Sequence, residues 1–101
     1  MVERIVQYNN VGVVLNLDMG VGIGGDKWPA AELFCDVVTN PKYFKEFSEV
    51  MDNKRVIELG SGTGLAGIII DKLYQPSEVL VTDLLSHCPH MTHNLELNGA
   101  T

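Results

Sequence analysis

Glycines at positions 60, 62 and 64 directly follow the apolar run Val56, Ile57 and Leu59. Glycine there removes side chains where a backbone must turn sharply and come close to a ligand. Helical spacing begins at once, with Leu65, Ile68, Ile69 and Leu73 on one stripe before Gln75 and Pro76 end it. Val79 to Val81 then form a second apolar strand that closes on Thr82 and Asp83. The order is strand, glycine loop, helix, strand, acid. It puts Asp83 about 20 residues past the loop, where a carboxylate can accept hydrogen bonds from ribose hydroxyls. Continuous apolar strands suit parallel neighbours joined by a crossover helix, and an adenosine-containing ligand would rest at their carboxyl ends.

Glu58 narrows the choice of ligand. It stands two residues before the first loop glycine, close to where the pyrophosphate of a dinucleotide would lie, and like charges there repel. A carboxylate at that place is better matched to a ligand that is cationic near the loop, such as the amino group and sulfonium of S-adenosyl-L-methionine. The glycine spacing agrees: a dinucleotide loop has its third glycine three residues after the second, where this chain has Leu65. An NAD-type oxidoreductase fragment is therefore the weaker alternative. A literal GxGxxG does occur at Gly20, Gly22 and Gly25, but no acid-ending strand follows it at the proper distance, and it reads as a lead-in to a helix. His87, His90 and His93 flank Cys88, yet steps of three along a helix fan the rings apart, so a solvated polar face is expected and no metal site.

These groups must be positioned by a small scaffold. The chain has 101 residues, a formal charge of −6, 46% hydrophobic and 20% charged residues, enough for one small folded unit. No apolar run approaches the ~18 residues of a membrane-spanning helix, and residues 1–10 lack the order of a secretory signal. Neither membrane nor nucleic acid is expected as a partner, since Lys and Arg are absent from Leu73 to Thr101. Cys35 and Cys88 form no CxxC pair, which fits a reducing, cytoplasmic setting. Arg4 to Tyr8 and Val11 to Leu17 read as a hairpin turning at Asn9 and Asn10. Asp26 and Pro29 start a helix through Val38, with Ala30, Leu33, Phe34 and Val37 facing the core. Asn40 and Pro41 begin a short helix that packs Tyr43, Phe44 and Phe47. A last helix covers Pro89 to Asn98, with Met91 and Leu95 inward and Gly99 as its stop.

The stretch VIELGSGTG from Val56 to Gly64, followed by VTD at Val81 to Asp83, resembles the seven-strand S-adenosylmethionine-dependent methyltransferases. GGDKWPAAELFC, Gly24 to Cys35, and NLELNG, Asn94 to Gly99, are similar to segments of the family-16 protein lysine methyltransferases. Within that family the pattern looks most like enzymes that methylate elongation factor 1-alpha. The resemblance implies that Gly60, Ser61 and Gly62 contact the methionine part of the cofactor and Asp83 its ribose. It implies that Trp28 closes over the cofactor, and that Glu58 orders the loop or meets the amino group. The partner it implies is a protein bearing a target lysine.

The implied fold is α/β, a Rossmann-like doubly wound methyltransferase fold cut short after the second strand of its sheet and the following helix. Residues 1–54 would be a hairpin and helical extension, and 55–101 the first half of the cofactor domain. The family's later acidic-and-tyrosine motif is absent, so no catalytic residue is assigned. An incomplete sheet would leave the Leu65–Leu73 stripe partly uncovered and the chain poor at folding alone. A truncated, non-catalytic interaction module is the second alternative.

Overall fold

The structure, a computed structural model, describes residues 2–17 and 29–99. Trp28, Asp26 and the glycines at 20, 22, 24 and 25 lie outside the described residues. Strands β1 (Val2–Tyr8) and β2 (Val11–Leu17) pair antiparallel across a two-residue turn, with Tyr8 opposite Val11 and Val6 opposite Val13. Asn9 takes φ 54°, which asparagine tolerates, and its amide bonds the Thr39 hydroxyl at 2.7 Å. Val13 and Leu15 alternate inward and are fully buried.

Helix α1 (Pro29–Val38) begins at a first-turn proline, as expected. Its inward face is not the one the apolar spacing indicated. Leu33 is 66% exposed and Val37 37%, and Ala30 is exposed too, while Cys35 and Val38 are buried and Ala31 and Phe34 half-buried. The true stripe, Ala31, Phe34, Cys35 and Val38, keeps Phe34 and is otherwise turned by one residue. It contains small side chains that let α1 approach the helix beneath it, where the apolar spacing from Ala30 had indicated the neighbouring face. A single 3-10 turn (Pro41–Tyr43) capped by Asn40 leads into α2 (Phe44–Met51). Phe44 and Phe47 both pack on Tyr74, with centroids 6.1 and 6.3 Å away, so the packing role expected for these rings holds. Tyr43 instead lies at the surface beside Lys42.

Strand β3 (Arg55–Glu58), helix α3 (Leu65–Leu73) and strand β4 (Glu78–Val81) form a parallel β–α–β unit, Val56 opposite Val79 and Glu58 opposite Val81. Val56, Glu58, Val79 and Val81 face α3; Ile57 and Leu80 point the other way and are 61% and 41% exposed. The Leu65–Leu73 stripe is not uncovered. Every residue from Leu65 to Ile70 is buried, because β2 and α1 lie over the side of α3 that the sheet does not touch. The uncovered apolar surface is the opposite face of the sheet. Tyr74 closes the core from below by donating to the Val38 carbonyl at 2.7 Å. After a second 3-10 turn (Leu85–His87), α4 (Cys88–Leu97) crosses β2 and ends before Gly99, which takes φ 70°.

Gly67 sets the distance between α3 and the sheet, because a Cβ there would come within 2.3 Å of Val81 Cγ1. Gly67→Ala is expected to cost about 1–3 kcal/mol by overpacking. Leu33→Ala, on the exposed side of α1, should change stability by no more than about 0.5 kcal/mol. Urea denaturation of the two variants checks both, and a large loss in Leu33→Ala would restore the original reading of that helix.

Candidate functional site

The loop between β3 and α3 is built from residues in the left-handed region. Gly60, Gly62 and Gly64 have φ of 66°, 56° and 87°, conformations that side chains on L-residues resist. Such a loop needs external anchors, and β4 supplies them. The Ser61 N–H donates to the Thr82 carbonyl at 2.7 Å, and the Gly62 N–H donates to Asp83 Oδ2 at 2.8 Å. In return the Thr82 N–H reaches both Ser61 Oγ and the Glu58 carbonyl, each at 3.0 Å, and the Thr82 hydroxyl donates to that carbonyl at 2.7 Å. Gly64 then starts α3, its N–H bonded to the Ser61 carbonyl and its own carbonyl accepting from Ile68.

The structure thus brings Glu58, Gly60, Ser61, Gly62 and Asp83 together, five of the six residues picked out from sequence. Glu58 splits into two parts. Its carbonyl orders the loop, while carboxylate oxygen Oε1 is buried and has no hydrogen-bond partner. Glu58 also lines a cavity of about 470 Å³ with Ala31, Phe34, Val56, Ser61 and Ala66, and among the described residues it is the cavity's only ionisable residue. Such a volume suits a small-molecule ligand. Asp83 does not line the cavity; it stands beyond the loop.

Three donors already meet Asp83: the Gly62 N–H on Oδ2, and the Leu84 N–H (2.7 Å) and His87 Nδ1 (3.1 Å) on Oδ1. A carboxylate offers about four acceptor positions, which leaves one on Oδ2. The Leu84 N–H is the main cause of an Asp83 carboxyl held below its ordinary range; burial opposes it, and Gly62 and His87 reinforce it. Glu58 moves the opposite way. Burial raises its pKa, the Ser61 side chain and Gly67 N–H offset part of this without closing a bond on Oε1, and the Asp83 charge adds to the rise. Burial, with help from the Glu58, Asp36 and Glu32 charges, pushes the Cys35 thiol up to about 12.

The histidines are not a solvated face. His93 is exposed, but His87 is buried against Asp83, and His90 is buried with Nε2 on the Asn16 carbonyl. His90 turns inward because α4 lies between the loop and the hairpin, and His87, in the turn before α4, is drawn in by Asp83. Among the described residues no group of His, Cys, Asp or Glu is arranged to hold a metal ion. His87 was legible as the residue four positions after Asp83, one helical turn on; Asn94 was legible only as part of a motif, with no indication that it is fully buried.

Comparison with known proteins decides the family. Residues 7–101 match the profile of a family described as lysine methyltransferase. The chain belongs to that family. The lysine methyltransferase relatives include a Saccharomyces cerevisiae protein named protein-lysine N-methyltransferase EFM6, 34% identical over 86 residues, which cover 76% of this chain and 35% of the yeast protein. A Mus musculus protein named EEF1A lysine methyltransferase 3 is 30% identical over 90 residues, covering 89% of this chain and 35% of its own length. An Arabidopsis thaliana calmodulin-lysine N-methyltransferase is 42% identical over 60 residues, 56% of this chain and 17% of that protein. The chain spans about a third of the length of the yeast and mouse relatives. The methyl donor of this family is S-adenosylmethionine.

The two carboxylates give opposite pH signatures. Glu58, raised in the folded state, penalises folding as pH climbs from its ordinary 4.5 through the folded value. Asp83, lowered, supports folding until pH falls through its depressed value. Glu58→Gln should therefore be more stable than the parent at pH 7, with the gap closing toward pH 4, whereas Asp83→Asn should be less stable at pH 7. Urea melts across that range decide; a gap for Glu58→Gln that does not vary with pH would contradict the assignment. Thiol alkylation of the native protein at pH 8 should label Cys88 and spare the fully buried Cys35.

Proposed function

We propose that this chain carries the cofactor-binding part of an S-adenosylmethionine-dependent protein-lysine methyltransferase. One observation carries the reading: Glu58, whose carboxylate oxygen Oε1 is buried without a hydrogen-bond partner, lines a largely apolar cavity beside a loop of left-handed glycines. A buried carboxylate without a partner is costly, and a cationic ligand relieves that cost while an anionic one increases it. The amino group of S-adenosylmethionine is such a cation. Glu58 would receive it, Gly60, Ser61 and Gly62 would border the methionine part, and the free acceptor position on Asp83 would take a ribose hydroxyl. Trp28 would cover the cofactor. The cofactor supplies the methyl group; the chain's residues hold it in place and keep water from it.

The finer fold follows the same reading. The β3–α3–β4 unit would be the opening of a Rossmann-like, doubly wound sheet formed by residues 55–101, with residues 1–54 as the extension that precedes it. A protein substrate is supported by the names of the relatives, and elongation factor 1-alpha is the partner those of the mouse enzyme indicate. No helix among the described residues is long and apolar enough to cross a membrane, and a cytoplasmic setting agrees with two free thiols. No comparison favours a dinucleotide enzyme or an interaction module.

Isothermal titration of the full-length enzyme with S-adenosylhomocysteine should show binding, and NAD should show none. Asp83→Ala and Gly62→Val should each abolish it, the first by freeing the loop and the second by forcing a β-branched residue to φ 56°. Unchanged affinity in both variants, or tighter binding of NAD, would sink this function. Transfer of a radiolabelled methyl group to purified elongation factor 1-alpha tests the substrate.

A further inference from the structure

Helix α4 presents three side chains at intervals of four, His90, Asn94 and Asn98, to the outer edge of β2. Four residues of helix advance ~6 Å and two residues of strand ~6.6 Å, so Asn98 and Asn94 meet alternate residues of the strand, while His90 shares the Asn16 carbonyl with Asn94. Asn98 takes Val14: its Oδ1 accepts from the Val14 N–H at 2.9 Å and its Nδ2 donates to the Val14 carbonyl at 2.7 Å. Asn94 takes Asn16 in the same way, accepting from its N–H at 2.7 Å and donating to its carbonyl at 3.2 Å. The two differ in the second acceptor of Nδ2, which for Asn98 is the Asn94 carbonyl at 2.8 Å, within the same helix end. For Asn94 it is the Thr63 carbonyl at 3.0 Å, in the middle of the glycine loop.

We propose that Asn94 is a positioning residue for the cofactor loop, fixing the Thr63–Gly64 peptide against the hairpin. The Thr63 carbonyl and the Gly64 N–H belong to one planar unit, so holding the oxygen sets the direction of the N–H. That N–H donates to the Ser61 carbonyl at 2.9 Å and closes the turn at whose centre Gly62 stands. Thr63 is flanked by two left-handed glycines, whose dihedrals would otherwise let this peptide rotate freely. Asn94 is 0% exposed, and an amide buried there brings two donor protons and an acceptor that all find partners. The hairpin thereby becomes part of the loop's support. The claim that cofactor affinity depends on Asn94 rests on the proposed cofactor reading; the claim that the loop's geometry depends on it does not.

Asn98 provides the control, since it makes the same pair of bonds to the same strand and, although its Nδ2 also donates to the Asn94 carbonyl at 2.8 Å, it has no hydrogen bond to the loop. In the full-length protein, Asn94→Ser and Asn98→Ser should both lower the melting temperature. Only Asn94→Ser should speed hydrogen exchange at the Gly62 and Gly64 amides relative to the β3–β4 amides, by roughly tenfold, and weaken S-adenosylhomocysteine binding by a similar factor. Asn98→Ser should change each by less than about twofold. Equal effects in the two variants, or unchanged loop exchange in Asn94→Ser, would show a merely structural role and overturn the proposal. Should Asn94→Ser fail to fold, the parent protein still decides: the Asn94 side-chain amide protons and the Gly64 amide should exchange through one shared opening with the same denaturant dependence. Separate openings would overturn the proposal. If the parent binds no S-adenosylhomocysteine, the cofactor reading fails, while the exchange comparison still decides the role of Asn94.

Discussion

The first six residues of α3, Leu65 to Ile70, are apolar on all sides, and the rest of the molecule is arranged to cover them. Residues 65–70 are all buried, so no face of this turn-and-a-half of helix is available to water. An all-round apolar helix is stable only inside a core. The sheet covers one side at the close distance that Gly67 permits, and β2 and α1 cover the other. The hairpin and the residues after Arg55 therefore contribute to one hydrophobic cluster, in which Val13 and Leu15 meet Leu65 and Ile68. A core of this kind also fixes where α3 begins, and hence where the glycine loop must end.

Much of this was legible in the sequence because it depends on local pattern. The hairpin shows in two Val-rich runs about an Asn-Asn turn; the β–α–β unit shows in two apolar runs, a stripe and a terminal acid. What failed was orientation. The apolar spacing of α1 indicated a face with Ala30, Leu33 and Val37, but tertiary packing selected the adjoining one with the small side chains of Ala31 and Cys35. The histidines failed for a similar reason. Spacing alone correctly indicated that the rings diverge; it carried no information about α4 being wedged between hairpin and loop, which buries His90, or about Asp83 drawing in His87.

Within the candidate site the division is sharper. Residue types and order pointed to Glu58, the glycines, Ser61 and Asp83, since each is required by local backbone geometry or by charge. Their internal allegiances were not legible. Asp83 was read as a ligand residue, yet most of its acceptor capacity goes to Gly62, Leu84 and His87. Glu58 was read as one group, yet its carbonyl and carboxylate serve different ends. Asn94 bonds a residue 78 positions away, a distance at which no periodicity operates.

That separation has a consequence for how the chain is made. The hairpin is synthesised before the helix that completes it, and its outer edge stays unpaired until Asn98, 84 residues beyond Val14, has been added. Contacts so distant in sequence form late and slow folding. Throughout that interval, at some 5–20 residues per second, β2 is an open strand able to join another nascent chain. Asparagine amides that complete the edge afterwards also end its capacity for such pairing, so the window for misassembly closes with α4.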